Sequence, residues 1–224
     1  LAQAFDDFAA DPDLWVAILT GAGDRAFSAG NDLRYQAEGN AVTVPPSGFA
    51  GITSRYDLDK PVIAAVNGVA MGGGFEIALA CDIIIAAENA KFALPEPKVG
   101  FAALASGMHR LPREVPLKKA MGMMLTGRVV GAAEGKEIGF VTDVVPQGKA
   151  LEEAKRWAGL IMECSPMAIK ATKETVLTGL KTADLKAAFE HKVPGIAKLL
   201  ASADHKEGPK AFAEKRKPVW KNEA

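Results

Sequence analysis

Aromatic residues are scarce in this chain, 7% of 224 residues, and cysteines number only two. Its core must therefore be largely aliphatic, and a 49% hydrophobic content is enough for one large domain or a domain with an appendage. Cys81 and Cys164 stand far apart, in neither a C-x-x-C nor any other metal-ligand spacing. That excludes a disulfide framework and a cysteine-based metal centre, and it fits a reducing, cytoplasmic setting. Excess charge of either sign is also lacking: Lys+Arg 27 balance Asp+Glu 27, so no overall field draws the chain toward nucleic acid or an anionic membrane. No apolar run reaches the ~18 residues of a membrane span. The longest, residues 77–87, is broken by Cys81 and Asp82. There is no signal-peptide pattern, internal repeat or low-complexity tract.

Strand-length apolar runs are present instead. Residues 14–20 (LWVAILT), 61–66 (PVIAAV) and 83–87 read as strands buried on both faces, with shorter candidates at 91–94 and 141–145. Helical spacing covers residues 1–8, 74–81, 117–125 and 132–138. Strands alternating with helices predict an α/β fold with a largely parallel sheet over residues 1–146. From residue 147 on, the pattern predicts helices only: 150–162, then 167–177 behind a Ser165 cap and Pro166, then a helix capped by Thr182 and kinked or ended by Pro194. Residues 37–51 read as loop. The chain starts at Leu1, inside a helical pattern with no start signal before it, so a preceding segment is expected.

Several motifs invite chemistry and then fail to support it. Residues 21–26 (GAGDRA) fit the loose G-x-G-x-x-A dinucleotide pattern, but SAGN follows where a helix should begin, so a strand-to-loop turn is the better reading. Ser106 and His109 stand three apart without a G-x-S-x-G context, and His191 and His205 lie among charged residues of the helical tail. No ligand cluster for a metal exists.

Residues 67–82 (NGVAMGGGFEIALACD) are different. Gly72, Gly73 and Gly74 remove every Cβ where a buried strand turns into a helix, leaving free N–H groups at the positive end of the helix dipole. That is the physical description of an oxyanion hole. Glu76 lies on the first turn of that helix, where it either serves chemistry or merely complements the dipole. Glu96, fixed between Pro95 and Pro97, is either a turn residue or a second site carboxylate. Residues 27–33 (FSAGNDL), taken alone, are a loop.

Together, FSAGNDL, residues 60–82 (KPVIAAVNGVAMGGGFEIALACD) and residues 92–100 (FALPEPKVG) resemble the crotonase superfamily of enoyl-CoA hydratases and isomerases. The similarity continues through LTGR at 125–128, GFVTDVV at 139–145 and EGPKAFAEKRKPVW at 207–220. GFAG at 48–51, FALPE and the last of these segments are most similar to a carnitinyl-CoA dehydratase-like branch. The resemblance implies a crotonase-like spiral of ββα turns and an acyl-CoA substrate, with coenzyme A as part of the substrate and no separate cofactor. It implies that the N–H groups of Asn31 and Gly73 hold the thioester oxygen, with Ala29, Gly30, Asp32, Leu33 and Gly72 around them. It assigns Glu76 and Glu96 as the hydratase carboxylates and Arg34 and Lys215 as contacts to the coenzyme A phosphates, Lys215 offered by a neighbouring subunit. A homotrimer or homohexamer, held through the helical tail, is implied as well. An isomerase would need chiefly one base, and a silent acyl-CoA-binding scaffold is the reading from another class. The family also has a strand pair and an A-x-L-N-A-L segment ahead of the position of Leu1, and residues 101–111 (FAALASGMHRL) depart from the proline- and glycine-rich loop common in hydratases.

Overall fold

The computed structural model describes residues 1–223. In chain order its first elements are α1 (Ala2–Ala10), β1 (Ala17–Thr20), β2 (Ala26–Ser28), α2 (Leu33–Ala37), β3 (Val62–Val66), β4 (Val69–Met71) and α3 (Gly73–Ala80). Then follow β5 (Ile83–Ala87), β6 (Lys91–Ala93), α4 (Gly107–Glu114), α5 (Leu117–Thr126), β7 (Val130–Gly131), α6 (Ala132–Ile138) and β8 (Asp143–Val145). The remaining elements are helices: α7 (Ala150–Met162), α8 (Pro166–Gly179), α9 (Leu185–Glu190), α10 (Pro194–Ala201) and α11 (Ala203–Ala213).

The strands form two sheets, ordered β1-β3-β5-β8 and β2-β4-β6-β7. From β1 to β6 successive strands alternate between them, one strand in each sheet before a helix returns the chain; β7 then joins the second sheet antiparallel to β6, and β8 closes the first. The expected α/β spiral is therefore present. β3 pairs with β5 in parallel, and all five residues of β3 are buried, which explains their unbroken apolar run. Three of the scarce aromatics meet in the core: Phe75, Phe92 and Phe140 lie with centroids 5.0 to 5.2 Å apart, in tilted and edge contacts.

The chain divides into two compact units. One comprises Leu1–Phe8, Ile18–Tyr56 and Val62–Arg156; the other comprises Ala9–Ala17, Asp57–Pro61 and the chain from Trp157 onward. Within the second, the buried Asp204 carboxylate accepts from Ser165 Oγ at 2.8 Å and from the Lys221 N–H at 2.7 Å, while Ser165 caps α8. Among the described residues no helix is long and apolar enough to cross a membrane, and no group of acidic, His and Cys residues could hold a metal.

Some elements depart from the sequence expectation. β1 begins at Ala17 rather than residue 14, because the Asp11 turn continues through a Leu14 N–H bond to the Asp11 carbonyl. FSAG is not all loop: Ala26–Ser28 is a strand, created by its parallel partner β4. α2 was not expected; it ends at Ala37, where the expected loop begins. Asp184, not Thr182, caps α9 through the Ala187 N–H, and Pro194 starts α10 at its first position instead of ending a helix.

The turn between β1 and β2 carries the GAGDRA motif, and no helix begins in it. The buried Asn67 side chain holds it, donating to the carbonyls of Gly21, Gly23 and Ala26 and accepting the Gly21 N–H. Replacing Asn67 by Ala strands these buried polar groups and is expected to lower unfolding stability by about 2–3 kcal/mol, measured by urea denaturation.

Candidate active site

β2 and β4 run parallel with Ala26 beside Val69 and Ser28 beside Ala70. This register brings the turn after β2 onto the start of α3. A Cβ added at Gly30 would lie 2.8 Å from the Gly73 nitrogen, and one at Gly74 only 2.0 Å from the Ser28 carbonyl oxygen. Gly72, at φ 54, turns β4 into α3 and accepts the Phe75 and Glu76 N–H groups on its carbonyl. Among the described residues neither the Asn31 N–H nor the Gly73 N–H has a hydrogen-bond partner. Both residues line one cavity of about 580 Å³.

β6 pairs with β4 in parallel, Met71 beside Ala93, and Gly72 donates to the Ala93 carbonyl at 2.9 Å. The chain leaving β6 is thereby delivered over Gly72, where Pro95 leads into a tight turn at Glu96–Val99. Glu96 Oε1 stands 3.0 Å from where a Gly72 Cβ would be, and Glu96 Oε2 is buried without a hydrogen-bond partner among the described residues. Burial pushes the Glu96 carboxyl above its usual range, its own N–H opposing.

Glu76 lines the same cavity and is 2% exposed. One carboxylate oxygen accepts the Gly107 N–H at 2.7 Å. Its pKa is pushed up to about 7, first by burial and then by the nearby Glu96 charge, against the Gly107 and Ala105 amides. Its place on the first turn of α3 would favour the anion, so burial outweighs the dipole. Two carboxyl groups of raised and mutually coupled proton affinity thus face one cavity, beside two free backbone donors. Such a set can exchange protons with a bound molecule near neutrality while stabilising an oxyanion.

The remaining expected residues separate. Ala29, Leu33 and Gly72 line the cavity, whereas Gly30 acts through its backbone approach. Asp32 caps α2, its carboxylate accepting from the Arg34 and Tyr35 N–H groups. Arg34 is exposed and does not line the cavity; Lys215 is exposed in the second unit, at φ 55 just beyond α11. The Ser106 hydroxyl accepts from Arg110 Nε at 3.0 Å, and His109 is exposed, so they form no nucleophile and base pair. Sequence reasoning passed over Gly107, which anchors Glu76, and Phe49, whose ring would stand 2.6 Å from a Cβ at Gly73. The GFAG segment at 48–51 carried the resemblance but gave Phe49 no role; Gly48 and Gly51, at φ 87 and 74, shape the turn that holds it.

The family model for enoyl-CoA hydratase/isomerase matches residues 1–223. The chain belongs to this family. It is 46% identical to a carnitinyl-CoA dehydratase of Salmonella typhi, covering 99% of this chain and 87% of that protein. Its fold matches the crystal structure of an enoyl-CoA hydratase from Mycobacterium tuberculosis H37Rv with a TM-score of 0.92 at 39% identity, over 99% of this chain and 86% of the other. A carnitinyl-CoA hydratase from Mycobacterium avium matches with a TM-score of 0.76 at 40% identity, over 98% and 86%. In the two-sheet scaffold of this hydratase/isomerase family member, the cavity, the free N–H pair and both glutamates lie within the first compact unit.

The raised Glu76 pKa has a thermodynamic consequence. Between the ordinary carboxyl value of 4.5 and about 7 the folded state holds a proton that the unfolded state has released, so stability falls as pH rises through that window. Glu76→Gln removes the penalty. The variant is expected to exceed the parent chain in stability by on the order of 2 kcal/mol at pH 8, with the difference vanishing below about pH 4.5, as read from chemical denaturation across pH.

Proposed function

We propose that the chain is an acyl-CoA hydratase/dehydratase, a hydro-lyase that adds water to an α,β-unsaturated acyl-CoA thioester or eliminates it. The observation that carries this reading is the presence of two glutamates, the buried Glu76 and the half-buried Glu96 with its Oε2 out of water, in one cavity with the unpartnered Asn31 and Gly73 N–H groups. Attack of water at Cβ moves negative charge onto the thioester oxygen. Two backbone donors aimed at that oxygen stabilise the charge as it develops, and one such donor contributes about 3 kcal/mol in comparable enzymes.

In the proposed division of labour, Glu76 holds the water and takes its proton as the new C–O bond forms. Glu96 delivers a proton to Cα of the enolate, and elimination runs the same steps backward. Their coupling favours this division, since one charged carboxylate raises the proton affinity of the other and keeps one base and one acid present together. Arg34 and Lys215 would meet the coenzyme A phosphates, Lys215 from a neighbouring subunit of a homotrimer or homohexamer. Exposed Phe189 and Phe212 in the helical tail support such an assembly. The two free thiols fit a cytoplasmic protein of acyl-CoA metabolism.

The similarity to carnitinyl-CoA dehydratase favours one refinement, an acyl chain ending in a quaternary ammonium. Phe49 and Phe101, which line the cavity beside the two glutamates, are the side chains suited to that cation. The test is loss of ultraviolet absorbance of a conjugated short-chain enoyl-CoA, run beside a carnitinyl-CoA thioester. Glu76→Gln and Glu96→Gln are each expected to lower kcat by about 10²–10⁴-fold with the fold intact. Full activity in both variants would overturn the reading, and loss in only one would assign a double-bond isomerase.

A further inference from the structure

Glu76 is held by a backbone N–H, and the residue preceding that donor adopts a conformation serine rarely takes. Ser106 sits at φ 84, ψ 0, the left-handed region that a Cβ disfavours. This turn starts α4 and directs its first N–H, that of Gly107, at Glu76 Oε1. The fit leaves no slack, since a Cβ on Gly107 would lie 2.9 Å from the same oxygen.

One side chain ties the turn down. Arg110, a turn further along α4, donates from Nε to Ser106 Oγ at 3.0 Å and from a terminal nitrogen to the Thr53 carbonyl at 3.3 Å. Its guanidinium carbon lies 5.8 Å from the centre of the Tyr56 ring. The planar fork thus joins the Phe49-bearing wall of the cavity to the wall that anchors Glu76. We propose that Arg110 is a positioning residue for Glu76, fixing through Ser106 and Thr53 the left-handed turn that presents the Gly107 N–H to the carboxylate.

Lysine would keep the charge but has no fork to span two oxygens, so Arg110→Lys separates positioning from simple charge. The groups facing Glu76 are Glu96 from the turn after β6 and the Gly107 and Ala105 amides from the chain entering α4; Arg110 itself faces Glu114. Loosening the Gly107 donor leaves burial and Glu96 less opposed, so Glu76 holds its proton to higher pH.

This inference rests on the proposed role of Glu76, so its first readout is independent of turnover. Ser-Gly pairs occur only at 47–48 and 106–107. Protein carrying carbonyl-¹³C serine and ¹⁵N glycine therefore shows two amides in a carbonyl-filtered spectrum, and the one whose titration disappears in Glu76→Gln is Gly107. In the parent chain that amide should titrate near pH 7. In Arg110→Lys its midpoint should rise by about half a unit or more, with the Gly48 amide unmoved. The acid limb of kcat/KM for the enoyl-CoA should rise by the same amount, with kcat down about tenfold and KM within about twofold. An unchanged Gly107 midpoint in both Arg110→Lys and Arg110→Met would overturn the proposal. Absence of turnover in the parent chain would overturn the hydratase reading alone, because the amide titration still reports the Arg110 link.

Discussion

Two stretches of backbone approach each other with no side chain between them, and the site depends on that approach. At Gly74 a Cβ would meet the Ser28 carbonyl oxygen at 2.0 Å, and at Gly30 the Gly73 nitrogen at 2.8 Å. Any larger residue at either point would wedge the turn after β2 away from the start of α3. The glycines therefore place two backbone N–H groups, from parts of the chain about forty residues apart, on one cavity. Parallel registry does the rest: β2 beside β4 aligns Asn31 with Gly73, and β4 beside β6 carries Glu96 over Gly72.

On this frame the electrostatics follow from burial. The start of α3 offers positive potential, and a carboxylate on its first turn would ordinarily be stabilised as the anion. Glu76 is instead shifted toward neutrality because it is almost wholly withdrawn from water and shares its surroundings with Glu96. The Gly107 amide keeps that shift moderate. A carboxyl group left near pH 7 both accepts and returns a proton readily, which matches what addition and elimination of water require.

Much of this was legible in the sequence wherever the signal was local. The apolar runs of β3 and β5, the glycine triplet and the proline-flanked Glu96 each carry their structural meaning within a few residues. β2 was not legible, because the three residues of Ala26–Ser28 become a strand only through β4, about forty residues later. The cap of α9 was misplaced by two residues for a competing reason: Thr182 and Asp184 both suit a cap, and helical geometry at Ala187 selects Asp184. Gly107 and Arg110 lay in a stretch noted for a Ser106 and His109 pair without context and for departing from the family pattern. Their roles depend on contacts to Glu76 and Thr53 that no spacing encodes. Asp32, in a matching motif, caps α2, and Arg34 beside it is exposed.

The central claim is that the Asn31 and Gly73 N–H groups polarise a thioester carbonyl. The most direct measurement is the isotope-edited infrared carbonyl stretch of an unreactive ¹³C-labelled acyl-CoA thioester bound to the protein. Two preorganised donors predict a stretch at lower frequency than the same thioester shows in water, where its hydrogen bonds are transient. A stretch at or above the aqueous value would contradict the account, since the cavity would then hold the carbonyl without the two donors on which the proposed chemistry rests.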